Sequence, residues 1–317
     1  MKIKKLLRYS GWTLLTVFIL LNISAAFHAW RLTHFYGTGG QFVKPYRMGF
    51  TDKAQAMVLG VKIPHPQITT KFTLPHDTIT LKTSGGLKID SWYSRHRKSK
   101  GSVALFHGHL GNKGAITPEA TAFHKLGYNV LLVDLRGHGN SQGNYCTIGF
   151  KEGEEVKLAV DYLKSKGEKN IILWGTSMGA AAITSAFKHH QIKPSAVILE
   201  LPFNNLHSAV SARVKLMGLP KEPLSSILTF WGGVENGFNA FNFSPAEYAK
   251  TINCPVLVQA GKLDSRVSLH DIDELFKNIP SDKKQKQVYD NAHHQSLLNK
   301  NKELWINRIN SFLGKVE

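Results

Sequence analysis

Hydrophobic and polar positions along this chain fall into three regimes. After "MKIKKLLRYS", residues 11–30 read "GWTLLTVFILLNISAAFHAW" and contain no Asp, Glu, Lys or Arg. A helix of roughly 20 such residues crosses the hydrocarbon core of a bilayer, so a membrane-spanning helix is predicted here. The next stretch, "YGTGGQFVKPYRMGF", is rich in glycine and has no periodicity, as a linker would. Two alternating runs follow, "ITTKFTL" and "TITLKTSGGLKIDSWYS", the second broken at Ser84-Gly85-Gly86 like a hairpin. From Val103 the pattern becomes unbroken apolar runs at 103–106, 129–134, 170–175, 195–200, 255–260 and 286–290. Between them lie helical stretches; in "FKEGEEVKLAVDYLKSKG", Val156, Ala159, Val160 and Leu163 share one face. Apolar strands alternating with helices predict an α/β fold, a mostly parallel central sheet covered on both faces. The expected organisation is an anchor over 1–31, a linker over 32–67, and one domain over 68–317. Within that domain the interval after Glu200 is too long for a simple crossover. An insertion of about 203–245, with Phe230, Trp231, Phe238, Phe241 and Phe243, is expected to form a short helical lid, to pack onto the domain, or both.

Charge refines the N-terminal reading. Lys2, Lys4, Lys5 and Arg8 precede the apolar run and Arg31 follows it, with Trp12 and Trp30 near its ends. Basic residues stay on the cytoplasmic side, so the remainder is expected outside the cytoplasm, on the periplasmic side. The small residues Ser24, Ala25 and Ala26 leave a cleaved signal peptide, and hence a secreted product, as the alternative. The formal net charge of +18 suits a surface beside anionic headgroups. The Lys and Arg residues are scattered rather than banded and no recognition motif accompanies them, so no nucleic-acid partner is expected. Two cysteines, Cys146 and Cys254, form no disulfide framework, and a buried thiol is the expected state of Cys254. Metal-site spacings and a phosphate-cradling G-x-x-x-x-G-K-[ST] are missing from the sequence, and no cofactor is expected.

The candidate chemistry sits in "IILWGTSMGA". A strand that gives way to a helix through Gly175-Thr-Ser-Met-Gly179 needs a very tight turn, which glycines at both ends permit and which thrusts Ser177 outward. A hydroxyl nucleophile needs a base, and the base needs an orienting acid. After the run at 255–260, "GKLDSRV" supplies Asp264; after 286–290, "NAHHQSLL" supplies His293 and His294. Glu200, ending another run, is an alternative acid.

With "FHGHLGNK" (106–113), "DLRGHGNSQG" (134–143), "GTSMG" (175–179), "GKLDSRV" (261–267) and "NAHHQSLL" (291–298) in this order, the chain resembles the α/β-hydrolase superfamily of serine hydrolases over roughly residues 70–313. It looks closest to anchored bacterial esterase-like members with a short lid. The resemblance implies Ser177 as nucleophile, Asp264 as acid and His294 as base, with His293 as the alternative base. It also implies an oxyanion hole from the backbone N–H groups of His109 and Met178. Arg136 in the 134–143 loop is expected to pair locally and brace the elbow. The expected activity is hydrolysis of carboxylic esters through an acyl-enzyme, on a small ester with an apolar acyl part, lipid-derived esters among the candidates. A peptidase, amidase or thioesterase of the same superfamily, or a non-catalytic anchored binding protein, are the alternatives.

Overall fold

The computed structural model describes residues 2–37 and 49–316. In chain order the elements are α1 (Lys2–Thr33), β1 (Phe35–Tyr36), α2 (Phe50–Leu59), β2 (Ile63–Pro64), β3 (Asp77–Lys82), β4 (Lys88–Ser94), β5 (Ser102–Phe106), α3 (Thr117–Lys125), β6 (Asn129–Val133) and α4 (Gly153–Ser165). They continue with β7 (Ile171–Thr176), α5 (Met178–His190), β8 (Ala196–Glu200), α6 (Leu206–Leu216), α7 (Leu224–Asn236), α8 (Pro245–Tyr248), β9 (Val256–Gly261), α9 (Leu269–Asn278), β10 (Lys284–Tyr289), α10 (Leu297–Lys300) and α11 (Lys302–Leu313).

Among the described residues, eight strands form one sheet in the order β10-β9-β8-β7-β5-β6-β4-β3. The pairs β3–β4 and β4–β6 are antiparallel and the remaining pairs parallel. Successive side chains enter opposite faces, which is why the central strands are apolar throughout. Ala104, Phe106, Leu131 and Leu173 join one core with Val156, Ala159, Val160 and Leu163 of α4 and most of α5. Val103, Leu105, Leu132 and Trp174 join the other with Phe123 of α3 and Trp305, Ile309 and Phe312 of α11. The chain leaves β5 toward α3 on one face and leaves β7 into α5 on the other. The adjacent C-terminal ends of β5 and β7 therefore open a crevice, the place where such sheets bind ligands.

The segment expected as a linker holds more structure than its sequence suggests. Its glycine-rich part falls at residues 38–48, outside the described residues. On either side, α2 forms and Phe35 and Tyr36 pair in parallel with Ile63 and Pro64. Phe35 and Ile63 are buried in the main core, a long-range gain that a two-residue run does not announce in sequence.

Within α1, Leu7–Thr33 is 27 residues long and apolar enough to cross a membrane. At 1.5 Å per residue that is about 40 Å. Leu14, Phe18 and Leu20 are 59–70% exposed, an apolar surface that the described residues leave uncovered. The C-terminal part of α1 packs on α7: Trp231 Nε1 donates to Asn22 Oδ1 at 3.1 Å, and Asn236 Nδ2 to Thr33 Oγ1 at 3.4 Å. Of the insertion's aromatics, Phe243 is buried and Phe238 stacks on Phe150 with ring centroids 4.4 Å apart. Phe230 and Phe241 remain exposed.

Candidate active site

Ser177 occupies the junction of β7 and α5 with φ 53° and ψ −112°, a backbone state that L-residues avoid and that persists only where packing imposes it. The two flanking glycines explain how. A Cβ on Gly179 would sit 2.2 Å from the Phe106 carbonyl oxygen, and one on Gly175 would sit 2.6 Å from the Gly179 carbonyl carbon. Strand β5, the elbow and the first turn of α5 are thus in backbone contact, a packing that any larger residue would block.

The strained turn aims the hydroxyl at His294. Ser177 Oγ lies 3.0 Å from His294 Nε2, and His294 Nδ1 lies 2.7 Å from Asp264 Oδ2. With Nδ1–H donating to the carboxylate, Nε2 is left as an acceptor for the serine proton. The Asp264 side chain is 1% exposed and that of His294 14%. The other Asp264 oxygen, Oδ1, accepts from the backbone N–H of Arg266 (2.7 Å) and Val267 (3.0 Å), which fixes the carboxylate's orientation. His293 is exposed, and its ring has no hydrogen bond among the described residues.

Gly108 lies directly against the nucleophile, with room for a Cβ only 3.5 Å from Ser177 Cβ. The chain then turns tightly at Leu110 (φ 63°), closed by a bond from Gly111 N to Gly108 O of 3.0 Å. This loop carries His109 past the serine, while Met178 opens α5, where first-turn N–H groups have no intrahelical acceptor. The loop is held from below. His107 Nε2 accepts from Leu135 N (3.1 Å) and its Nδ1–H donates to Gly108 O (2.8 Å). Burial holds its pKa down at about 4, so it stays neutral. Lys113, fully buried, pairs with Asp134 at 2.5 Å and also with Asp90. Arg136 is bound by Glu155 at 2.6 Å and Glu154 at 3.0 Å, both from α4, so it pairs locally as expected and ties the 134–143 loop to that helix.

Glu200, the alternative acid, is turned away from His294. Its Oε1 accepts from Trp174 Nε1 (2.9 Å), Trp305 Nε1 (2.5 Å) and Gln259 Nε2 (2.9 Å). Burial, with Glu119 nearby, pushes its pKa up to about 8. Its backbone still serves the elbow, because Glu200 O accepts from Ser177 N at 2.8 Å. Sequence reasoning passed over Glu119, a buried carboxyl that accepts from Ser296 Oγ at 2.6 Å beside the His294 loop. Glu119 falls on the buried face of α3, and an acidic residue there was the signal available.

Beyond His109 opens a cavity of about 460 Å³. Ala29 and Leu32 of α1, Leu206 and Val210 of α6, Leu228 of α7 and Ile148 supply much of its apolar wall. His109 Nε2–H donates to Leu32 O at 3.1 Å, tying the loop beside the serine to the end of α1. Cys146 and Cys254 are both free thiols, the first buried and the second half-buried, not fully buried as expected. Among the described residues no group of His, Cys, Asp or Glu is arranged to hold a metal ion.

Comparison with known proteins agrees with this architecture. The family described as serine aminopeptidase, S33, matches residues 97–231. An uncharacterized protein, YqkD, of Bacillus subtilis is 26% identical over 235 residues, covering 73% of this chain and 77% of that protein. The protein bem46 of Schizosaccharomyces pombe is 25% identical, covering 73% of this chain and 74% of its own. The mouse lysophosphatidylserine lipase ABHD12 is 26% identical over 198 residues, 58% of this chain and 46% of that protein. Among solved structures, the Pyrococcus furiosus esterase Pf2001 superposes with a TM-score of 0.68 at 22% identity, covering 89% of this chain and 98% of its own.

Proposed function

Because this chain is a member of the α/β-hydrolase superfamily, we propose that it is a membrane-anchored serine esterase acting on esters with an apolar acyl chain. The observation that carries the reading is the single imidazole of His294, within hydrogen-bond reach of Ser177 on one side and Asp264 on the other. In the proposed reaction Ser177 Oγ bonds to the ester carbonyl carbon as its proton passes to His294 Nε2. Asp264 keeps Nδ1 protonated and stabilises the imidazolium. The backbone N–H groups of His109 and Met178 receive the oxyanion; one such donor is worth about 10²–10³ in turnover. The carbon–oxygen bond to the alcohol then breaks, and His294 returns its proton to the departing alcohol. Water repeats the sequence on the acyl-serine and releases a carboxylic acid.

The apolar cavity beyond His109 supports the acyl preference, and the part of its wall that comes from α1 supports a substrate taken up near a membrane. On this reading the catalytic domain lies outside the cytoplasm, with Lys2, Lys4, Lys5 and Arg8 on the inner side. The family description raises an aminopeptidase as second reading. That activity must hold a free ammonium group, yet the cavity is lined by Arg213 and Arg266 and by no Asp or Glu among the described residues.

A fluorophosphonate probe tests the reading. It is expected to label Ser177 in the folded protein and to leave Ser177→Ala unlabelled. p-Nitrophenyl esters are expected to turn over far faster than the matching anilide. A folded protein that takes up no probe would refute the proposal.

A further inference from the structure

Arg213 projects from α6 into the cavity wall and has no counter-ion there. Among the described residues its guanidinium makes one hydrogen bond, from Nη1 to Ala209 O of its own helix, at 3.3 Å. Arg266, from the loop after β9, lines the same cavity, and neither residue forms an ion pair among the described residues. Among the described residues the titratable groups around Arg213 carry no negative charge, whereas Arg266 follows Asp264, whose carboxylate accepts from the Arg266 backbone N–H. Burial and the Arg213 charge keep His109 well below its ordinary pKa, hence neutral. The buried Cys146 thiol is pushed well above its ordinary pKa, hence protonated. Burial and the like charge of Arg266 weaken Arg213's own hold on its proton, to about 10. Arg213 is half-buried and Arg266 exposed, so the Arg213 guanidinium, in a wall with Leu206, Val210 and Val214 and without a counter-ion, stands open to an anion that reaches the cavity. Its planar fork of donors matches a carboxylate or a phosphate.

We propose that Arg213, assisted by Arg266, forms an anion subsite in the wall of the acyl cavity, holding a phosphate or carboxylate group carried by an amphiphilic ester. The inference deepens the esterase reading and rests on it for the reaction, although the subsite itself does not require hydrolysis. Arg213 would act in binding and orientation: the apolar chain takes the Leu32, Val210 and Leu228 side, the anion faces the guanidinium, and the ester is drawn toward Ser177 past His109.

The test uses the full chain in zwitterionic lipid nanodiscs and three esters sharing one acyl chain: monodecanoyl glycerol, monodecanoyl glycerol phosphate and monodecanoyl glycerate. The wild type is expected to prefer an anionic ester. Arg213→Gln is expected to lower the anionic-to-neutral ratio of kcat/KM roughly ten- to a hundredfold, mostly through KM, and Arg213→Lys to keep part of it. The better of the phosphate and the carboxylate identifies the anion. Competition by inorganic phosphate would mark a free-anion site, and its failure a tethered headgroup; either supports the subsite. Binding of dodecyl phosphate against dodecyl maltoside to Ser177→Ala, with and without Arg213→Gln, gives a readout free of turnover. An unchanged ratio in folded Arg213→Gln, or dodecyl phosphate binding indifferent to Arg213, would overturn the proposal. If no ester is hydrolysed while dodecyl phosphate binding still depends on Arg213, the esterase reading fails and the subsite stands.

Discussion

Replacing Glu200 with glutamine separates two roles that its position beside the elbow confounds. Glu200 is fully buried, three N–H groups converge on its Oε1, and its pKa lies near 8 against an ordinary 4.5. A carboxyl raised in this way is protonated in the folded protein at neutral pH and ionised in the unfolded chain. Between pH 4.5 and 8 the folded state binds the extra proton, so stability is greatest below the unfolded value and falls as pH rises. The slope is about 1.4 kcal/mol per pH unit, and the whole window amounts to about 5 kcal/mol as an upper figure. Glutamine keeps a carbonyl oxygen for Trp174, Trp305 and Gln259 and cannot ionise. Unfolding free energies of wild type and Glu200→Gln, measured in parallel in one detergent from pH 5 to 8, are expected to diverge steadily. The variant gains relative to wild type toward pH 8, and taking the difference cancels every other titrating group. Turnover of a p-nitrophenyl ester is expected to fall no more than a few-fold. A difference that stays flat with pH refutes the buried neutral carboxyl. A loss of about 10⁴ in kcat, the scale seen when a triad acid is neutralised, would instead make Glu200 the orienting acid.

Three further outcomes follow from the same geometry. Gly179→Ala drives a methyl into the Phe106 carbonyl and is expected to lose about 3 kcal/mol or more, read as a fall in Tm; an unchanged Tm would contradict the close packing of the elbow. His294→Ala is expected to lower kcat about 10⁴-fold or more while His293→Ala stays within a few-fold, and equal losses would remove the assignment of the base. A chain beginning after Thr33 lacks the Ala29 and Leu32 wall, so its preference for long over short acyl esters is expected to shrink; an unaltered chain-length profile would show that α1 does not shape the cavity.

The fold and the order of the candidate site were legible because both are written in local terms. Unbroken apolar runs between amphipathic helices prescribe a sheet buried on both faces, and glycines two residues either side of Ser177 prescribe a turn that only they allow. Loops after successive parallel strands must emerge along the same edge, so Asp264 and the 293–294 pair could be placed near Ser177 without coordinates. What the tertiary structure alone decided concerns direction and distant partners. Neighbouring loop residues point to different sides, and only the path after β10 turns His294 inward and leaves His293 in solvent. Glu200 shares a strand end with the site, yet two indoles and Gln259 hold its carboxyl behind the elbow. Glu119 meets Ser296 across 177 residues, and α1 reaches back to wall a cavity near the loop it hydrogen-bonds. Such contacts depend on how separate segments pack, and nothing in the spacing of residues along the chain records that.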